Sequence, residues 1–138
     1  RQLNVEARNA QDESPLMMAA IKGNIEAVKA LIARDADINK PGWTALHYAA
    51  SAGDLPIMKI LLDRDAVVDA RAPTNITPLM FAAREGQEGA VKLLLSWGAD
   101  TGLKSDHGWT AMQFAQAADK PGVVAIITAA QQARAARK

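Results

Sequence analysis

Thr77-Pro78-Leu79-Met80-Phe81-Ala82-Ala83 decides how the rest of the chain is read. A hydroxyl residue, then proline, then apolar and small side chains marks the start of a helix. The hydroxyl accepts a bond from a free N–H of the first turn, and proline at the first helical position loses no bond. Three further stretches align with it: Ser14-Pro15-Leu16-Met17-Met18-Ala19-Ala20, Thr44-Ala45-Leu46-His47-Tyr48-Ala49-Ala50, and Thr110-Ala111-Met112-Gln113-Phe114-Ala115-Gln116. The Ser/Thr positions lie 30, 33 and 33 residues apart. A fixed period of this length marks an array of stacked units rather than one irregular core.

Other landmarks keep the same register. Nine residues after each Ser/Thr stand Gly23, Gly53, Gly86 and, in the last copy, Asp119. Apolar runs follow: Val28-Lys29-Ala30-Leu31-Ile32, Met58-Lys59-Ile60-Leu61-Leu62 and Val91-Lys92-Leu93-Leu94-Leu95. They end in Asp35-Ala36-Asp37, Asp65-Ala66-Val67 and Gly98-Ala99-Asp100. Each unit reads as a helix pair. The first helix is about two turns long and is closed by a glycine that accepts the left-handed conformation. The second carries an early proline at Pro56 and Pro121, where the first turn tolerates it. Asp35 and Asp65 take a place suited to glycine, so slight backbone strain is expected there.

A 33-residue period with T-P-L-H-x-A-A, then Gly, V-x-x-L-L and G-A-D resembles the ankyrin repeat. The resemblance runs from Asn4 to about Ile127. It implies an all-α, ankyrin-repeat solenoid of stacked helix-turn-helix units with short β-hairpin fingers. The whole chain, 1–138, is then one domain. Residues 1–11 are the end of a preceding repeat, 12–40 a repeat, 41–72 a repeat with a shortened finger before it, 73–105 a repeat, and 106–138 a degenerate C-terminal capping repeat. The shortening falls in Asn39-Lys40-Pro41-Gly42-Trp43, where Pro41-Gly42 suits a tight turn. A binding adaptation and a harmless deletion both account for it. Asn4-Val5-Glu6-Ala7 matches the end of another unit, so additional N-terminal repeats or an assembly partner are expected. The basic C-terminal residues Arg134 and Arg137 complement a helix dipole. The run Pro41 to Ala50 resembles small bacterial ankyrin-repeat proteins, some of which are exported, leaving cytoplasm and periplasm both open as the compartment.

Composition narrows the functional classes. The 16 basic and 15 acidic residues give a net charge of +1, without the basic excess that nucleic-acid binding calls for. No stretch approaches the roughly 18 apolar residues of a membrane-spanning helix, so no membrane insertion is expected. With no cysteine, disulfides, thiolate metal sites and a cysteine nucleophile are excluded. The two histidines have no further ligands at zinc spacing, and no phosphate loop or nucleophile elbow is present. Neither an enzyme nor a cofactor or metal site is expected. In the resembled family the residue at His47 bonds locally and fixes the turn. Met17, Met18, Met80, Phe81, Met112 and Phe114 are read as packing between repeats, and Trp97 as cover for a hydrophobic edge on the convex side.

The resemblance implies a protein partner of unknown identity, bound by the finger tips and the concave face of the first helices. The slots that carry over are Glu13, Trp43, Ile76 and Trp109 before each Ser/Thr, and Ile21, Lys22, Arg84 and Glu85 before the closing residue. Among finger residues they include His107, Arg71 and Lys104, with Arg8 in the same slot as the last two. Trp43, Ile76 and Trp109 share one slot in consecutive units and form a row. Such a row serves as hot-spot anchors or stiffens the fingers, and both readings stand here. Arg71 and Lys104 are a basic edge for an acidic partner, or solvated charges. The rival function is a structural subunit of a larger assembly, joined through an open N-terminal end.

Overall fold

The computed structural model describes residues 13–137. The expected end of a preceding repeat at 1–11, with Arg8, lies outside the described residues. Among the described residues eight α-helices follow one another: α1 (Pro15–Ile21), α2 (Ile25–Ala33), α3 (Ala45–Ala52), α4 (Leu55–Asp63), α5 (Pro78–Glu85), α6 (Glu88–Ser96), α7 (Ala111–Ala117) and α8 (Pro121–Ala136). They form two layers. The short odd-numbered helices pack side by side as an inner layer, and the even-numbered helices pack behind them as an outer one. None of them is long and apolar enough to cross a membrane.

The helix starts follow directly from the repeated hydroxyl residues. Ser14, Thr44, Thr77 and Thr110 are extended N-caps, and each side-chain oxygen accepts from the N–H three residues on. Pro15 and Pro78 occupy the first turn behind their caps. Gly53 and Gly86 end α3 and α5 in the left-handed region, at φ of 71° and 72°. A Cβ on Gly53 would run into the Gln87 side chain, whose amide donates to the Ser51 carbonyl at 3.0 Å. That glycine is therefore required twice, for its φ and for the approach of the next unit. Asp35, Asp65 and Asp119 hold the left-handed conformation with side chains attached, at φ of 64°, 68° and 57°, which is the strain expected of a non-glycine there.

The core is aliphatic. Leu16, Leu46, Ile57, Met58, Leu61, Leu62, Leu79, Met80, Leu94 and Ile127 are its large, fully buried members. Alanines 19, 20, 49, 50, 82, 83 and 115 are buried between the inner helices, where a larger side chain would hold neighbours apart. Each buried Leu or Ile contributes roughly 1.5–3 kcal/mol from water exclusion. Leu31, Leu61, Leu94 and Ile127 occupy the same slot of successive units and make a column through the outer layer.

The fingers are slighter than hairpins. Among the described residues the β-structure is one isolated antiparallel bridge, Ala72 with Ile76, around a 3-10 turn at Pro73–Asn75. The loops are held to one another instead. Asn39 accepts from the Val67 N–H and donates to the Asp65 carbonyl, both at 2.8 Å. Asp69, one unit later, accepts from the Asp100 N–H at 3.2 Å. Asn75 donates to Asp106 at 2.7 Å, and the Asp106 N–H to the Thr74 carbonyl at 2.9 Å. Side-chain amides and carboxylates thus do the linking that strand pairing does in a hairpin.

Candidate partner-binding surface

The inner helices turn one face to the core and the other to solvent, and the solvent face is where the aromatic residues gather. The chain has three Trp, one Tyr and two Phe. None belongs to the fully buried core, and all except Trp97 lie on the inner helices or just before their N-caps. Trp43, Tyr48 and Phe81 form one group, with ring centroids 6.2 Å apart for Trp43–Tyr48, 5.4 Å for Trp43–Phe81 and 6.4 Å for Tyr48–Phe81. Trp109 meets Phe114 edge to face at 5.3 Å in a second group. Such pairs add about 0.5–1.5 kcal/mol beyond burial.

Between the groups runs a shallow cleft lined by Ile76, Met80, Phe81, Arg84 and Phe114, with a cavity of about 10 Å³. Arg84 lies over the Phe81 ring, 4.7 Å from its centroid, and pairs with Glu85 at 3.2 Å. Cation and carboxylate are each about half exposed, so this pair positions Arg84 more than it stabilises the fold.

His47 is the buried anchor under the first group. Its Nδ1 faces the Thr44 N–H at 3.2 Å, which can only donate, so Nδ1 accepts and Nε2 carries the proton. Nε2–H donates to the Ile76 carbonyl at 2.8 Å. The same carbonyl accepts from the Ala72 N–H at 2.9 Å. One histidine therefore caps its own helix and grips the next finger. Burial lowers its pKa from 6.5 to about 4, against the opposing pull of the Ile76 and Ala70 backbone. Tyr48 is shifted upward by burial and by the Glu13 carboxylate, and Asp69 upward chiefly by burial.

The slot residues do not share one fate. Trp43 and Ile76 are half-buried, whereas Trp109 keeps 39 % of its surface. Glu13, half-buried, stands beside Tyr48. Ile21, Lys22, Arg84 and Glu85 are exposed along the ends of α1 and α5. Arg71, Lys104 and His107 are exposed on the fingers. Met17 and Met80 are buried, and Met18, Phe81, Met112 and Phe114 are half-buried, with Met112 and Phe114 packed against the core and Phe81 against Trp43 of the preceding unit. The signal for Phe81 and Phe114 was available. With Met18 and Tyr48 they stand four residues after each cap, one turn along the solvent edge, while the buried Leu16, Leu46 and Leu79 stand two residues after theirs. Trp97 caps the end of α6 and is 45 % exposed. Among the described residues, no three His, Asp or Glu gather to hold a metal ion.

Comparison with known families places this geometry. A family model described as ankyrin repeats in three copies matches residues 2–72, and one described as an ankyrin repeat matches 74–106. A probable E3 ubiquitin-protein ligase of Oryza sativa is 42% identical over 94 residues, covering 64% of this chain and 21% of that protein. Neurogenic locus notch homolog protein 1 of Xenopus tropicalis is 34% identical over 119 residues, 83% of this chain and 5% of its own length. A palmitoyltransferase of Drosophila melanogaster is 36% identical over 97 residues, 67% of this chain and 15% of its own. This chain spans no more than about a fifth of any of the three. All three are eukaryotic, so the bacterial source expected from the sequence is not shown.

Proposed function

Because the chain belongs to the ankyrin-repeat family, we propose that it is a non-enzymatic interaction module that holds a protein partner against the concave face of its inner helices and its finger tips. One observation carries this reading. No aromatic residue is fully buried, and five of the chain's six line the outer side of the inner helices in two groups, four of them half-buried and Trp109 exposed. A fold of this size buries its aromatics first if burial is all they serve, because each carries a large apolar area. Grouped on a surface, they are the residue types on which interfaces depend. Trp109, Trp43 and Ile76 are the proposed anchors. Glu13, Ile21, Lys22, Arg84, Glu85, Arg71, Lys104 and His107 form the polar rim.

Capture from a lysate of the source organism tests it, with wild-type protein beside Trp109→Ala/Phe114→Ala and Trp97→Ala, each checked for fold by circular dichroism. A partner retained by wild type and Trp97→Ala but lost from the double variant is expected. Loss only from Trp97→Ala would move the site to the outer face.

A second reading rests on the α1–α2 end of the stack. An apolar cleft of about 380 Å³ opens there among Pro15, Ala19, Ala27 and Leu31. A chain joined to a larger assembly through this end would self-associate or require a fixed partner, and its solution mass decides between that and a monomer.

A further inference from the structure

The joints between successive fingers are made by one repeated slot, and they are not alike. Asn39, in the loop after α2, bridges to the loop after α4. It accepts from the Val67 N–H and donates to the Asp65 carbonyl, both at 2.8 Å. One unit on, the slot of Asn39 holds Asp69, and the places of Asp65 and Val67 are taken by Gly98 and Asp100. Asp69 accepts from the Asp100 N–H, at 3.2 Å and 3.3 Å to its two oxygens. An ionised carboxylate has no proton to give, and among the described residues no backbone N–H donates to the Gly98 carbonyl. The second joint is therefore half of the first.

We propose that Asp69 is a proton-operated latch: as the pH falls it takes up a proton, donates it to the Gly98 carbonyl while still accepting from Asp100, and ties the loops after α4 and α6 as Asn39 ties the pair before them.

The backbone on the receiving side is alike at both joints. Asp65 and Gly98 are both left-handed, at φ of 68° and 86°, so the carbonyl that Asn39 reaches has a counterpart for Asp69. The surroundings of Asp69 favour the proton. Half-burial holds its carboxyl above the ordinary 3.8, against the Asp100 N–H, which favours the anion. The charged groups acting on it are Asp100 from the loop after α6, which also raises it, and Arg71 of its own loop, which lowers it. The other carboxylate of this joint needs no proton. Asp106 receives from the Asn75 amide at 2.7 Å, so it already faces a donor. The sign follows from linkage. The folded value lies above the unfolded one, so the folded chain takes the proton first. The added stability is absent at neutral pH, grows as pH falls through the folded value, and is complete below 3.8.

Carbon-13 signals of the carboxyl groups and nitrogen-15 signals of the Val67 and Asp100 amides, followed from neutral pH down to about pH 3, test the latch without any partner. The Asp69 carboxyl should titrate above 3.8. The Val67 amide, held by Asn39, should show no step at that midpoint, and Asn39→Asp should give it one. Asp69→Asn, which carries the donor at every pH, should raise the urea midpoint over wild type at neutral pH, with the gap closing in acid. Both proteins carry the His47 slope, so it cancels. Asp69→Ala removes the charge without supplying a donor and should show no such gain. An Asp69 midpoint at or below 3.8 would overturn the latch, and so would an Asp69→Asn chain no more stable than wild type at neutral pH. Equal gains from Asp69→Asn and Asp69→Ala would overturn it too, since relief of repulsion from Asp100 would then be the whole effect.

Discussion

The units that begin at Thr44 and Thr110 are built on the same local plan and end in different environments. Both have a capping box, closed by His47 in one and Gln113 in the other. Both carry Trp before the cap, an aromatic residue four positions after it, and a buried aliphatic residue, Leu61 or Ile127, in the second helix. The unit at Thr44 has another stacked on each side. His47 is fully buried and reaches across to Ile76, and Trp43 is covered by Phe81. No described unit follows the one at Thr110. Gln113 is exposed, and the ring partner of Trp109 is Phe114 of its own unit. A local motif sets where a side chain starts, and the neighbouring unit sets whether it is buried.

The largest test of that comparison is in the outer column. Leu61→Ala should cost about 2–5 kcal/mol, because α2 and α6 flank it and neither can close the cavity. Ile127→Ala should fall at the low end of that range, since α8 has a packed neighbour on one side only and can relax. Urea denaturation measures both. An Ile127 cost equal to or above that of Leu61 would break the distinction between interior and end.

The pH dependence comes next. The folded pKa of His47 lies below its ordinary 6.5, at about 4. The unfolded chain therefore takes up the proton first. The stability tied to the neutral ring is complete above about pH 6.5 and is lost as pH falls toward 4, by up to about 3 kcal/mol. His47→Gln should flatten that part of the stability curve. Gln113→His places a histidine in the equivalent exposed box and should add no comparable slope. An equal slope in both would mean that burial is not the cause.

The paired tryptophans give a smaller contrast. Trp43→Ala should cost about 1.5–3 kcal/mol, scaled down from a fully buried aromatic, and Trp109→Ala about 1 kcal/mol or less. Binding should show the reverse order of usefulness, with Trp109→Ala the cleaner loss because its fold stays intact. The smallest effect belongs to the left-handed aspartates. Asp65→Gly should stabilise by about 0.5–1 kcal/mol by removing the Cβ penalty at φ 68°, raising the urea midpoint. No gain there would mean that the aspartate makes up for its strain through contacts of its own.

Much of the fold was legible because its signals are local. A cap and its acceptor lie three residues apart, so Ser14, Thr44, Thr77 and Thr110 announce their helices whatever surrounds them. The closing glycines and the strained aspartates are equally local, fixed by φ alone. The finger links were not legible as such. Asn39 and Asp69 read as ordinary turn residues, and their partners at Val67 and Asp100 lie 28 and 31 residues away. Reading Phe81 and Phe114 as packing between repeats left open how far each is covered, which the neighbouring unit decides.

By itself the sequence determined the repeat, its helix pairs, their caps and the aliphatic composition of the interior. Each of these follows from a bond or a spacing within one unit. Only the tertiary structure decided which of the equivalent side chains are covered, which carbonyl His47 grips and where the aromatics stand open to water. Those outcomes depend on contacts about 30 residues apart along the chain, made when one unit stacks on the next.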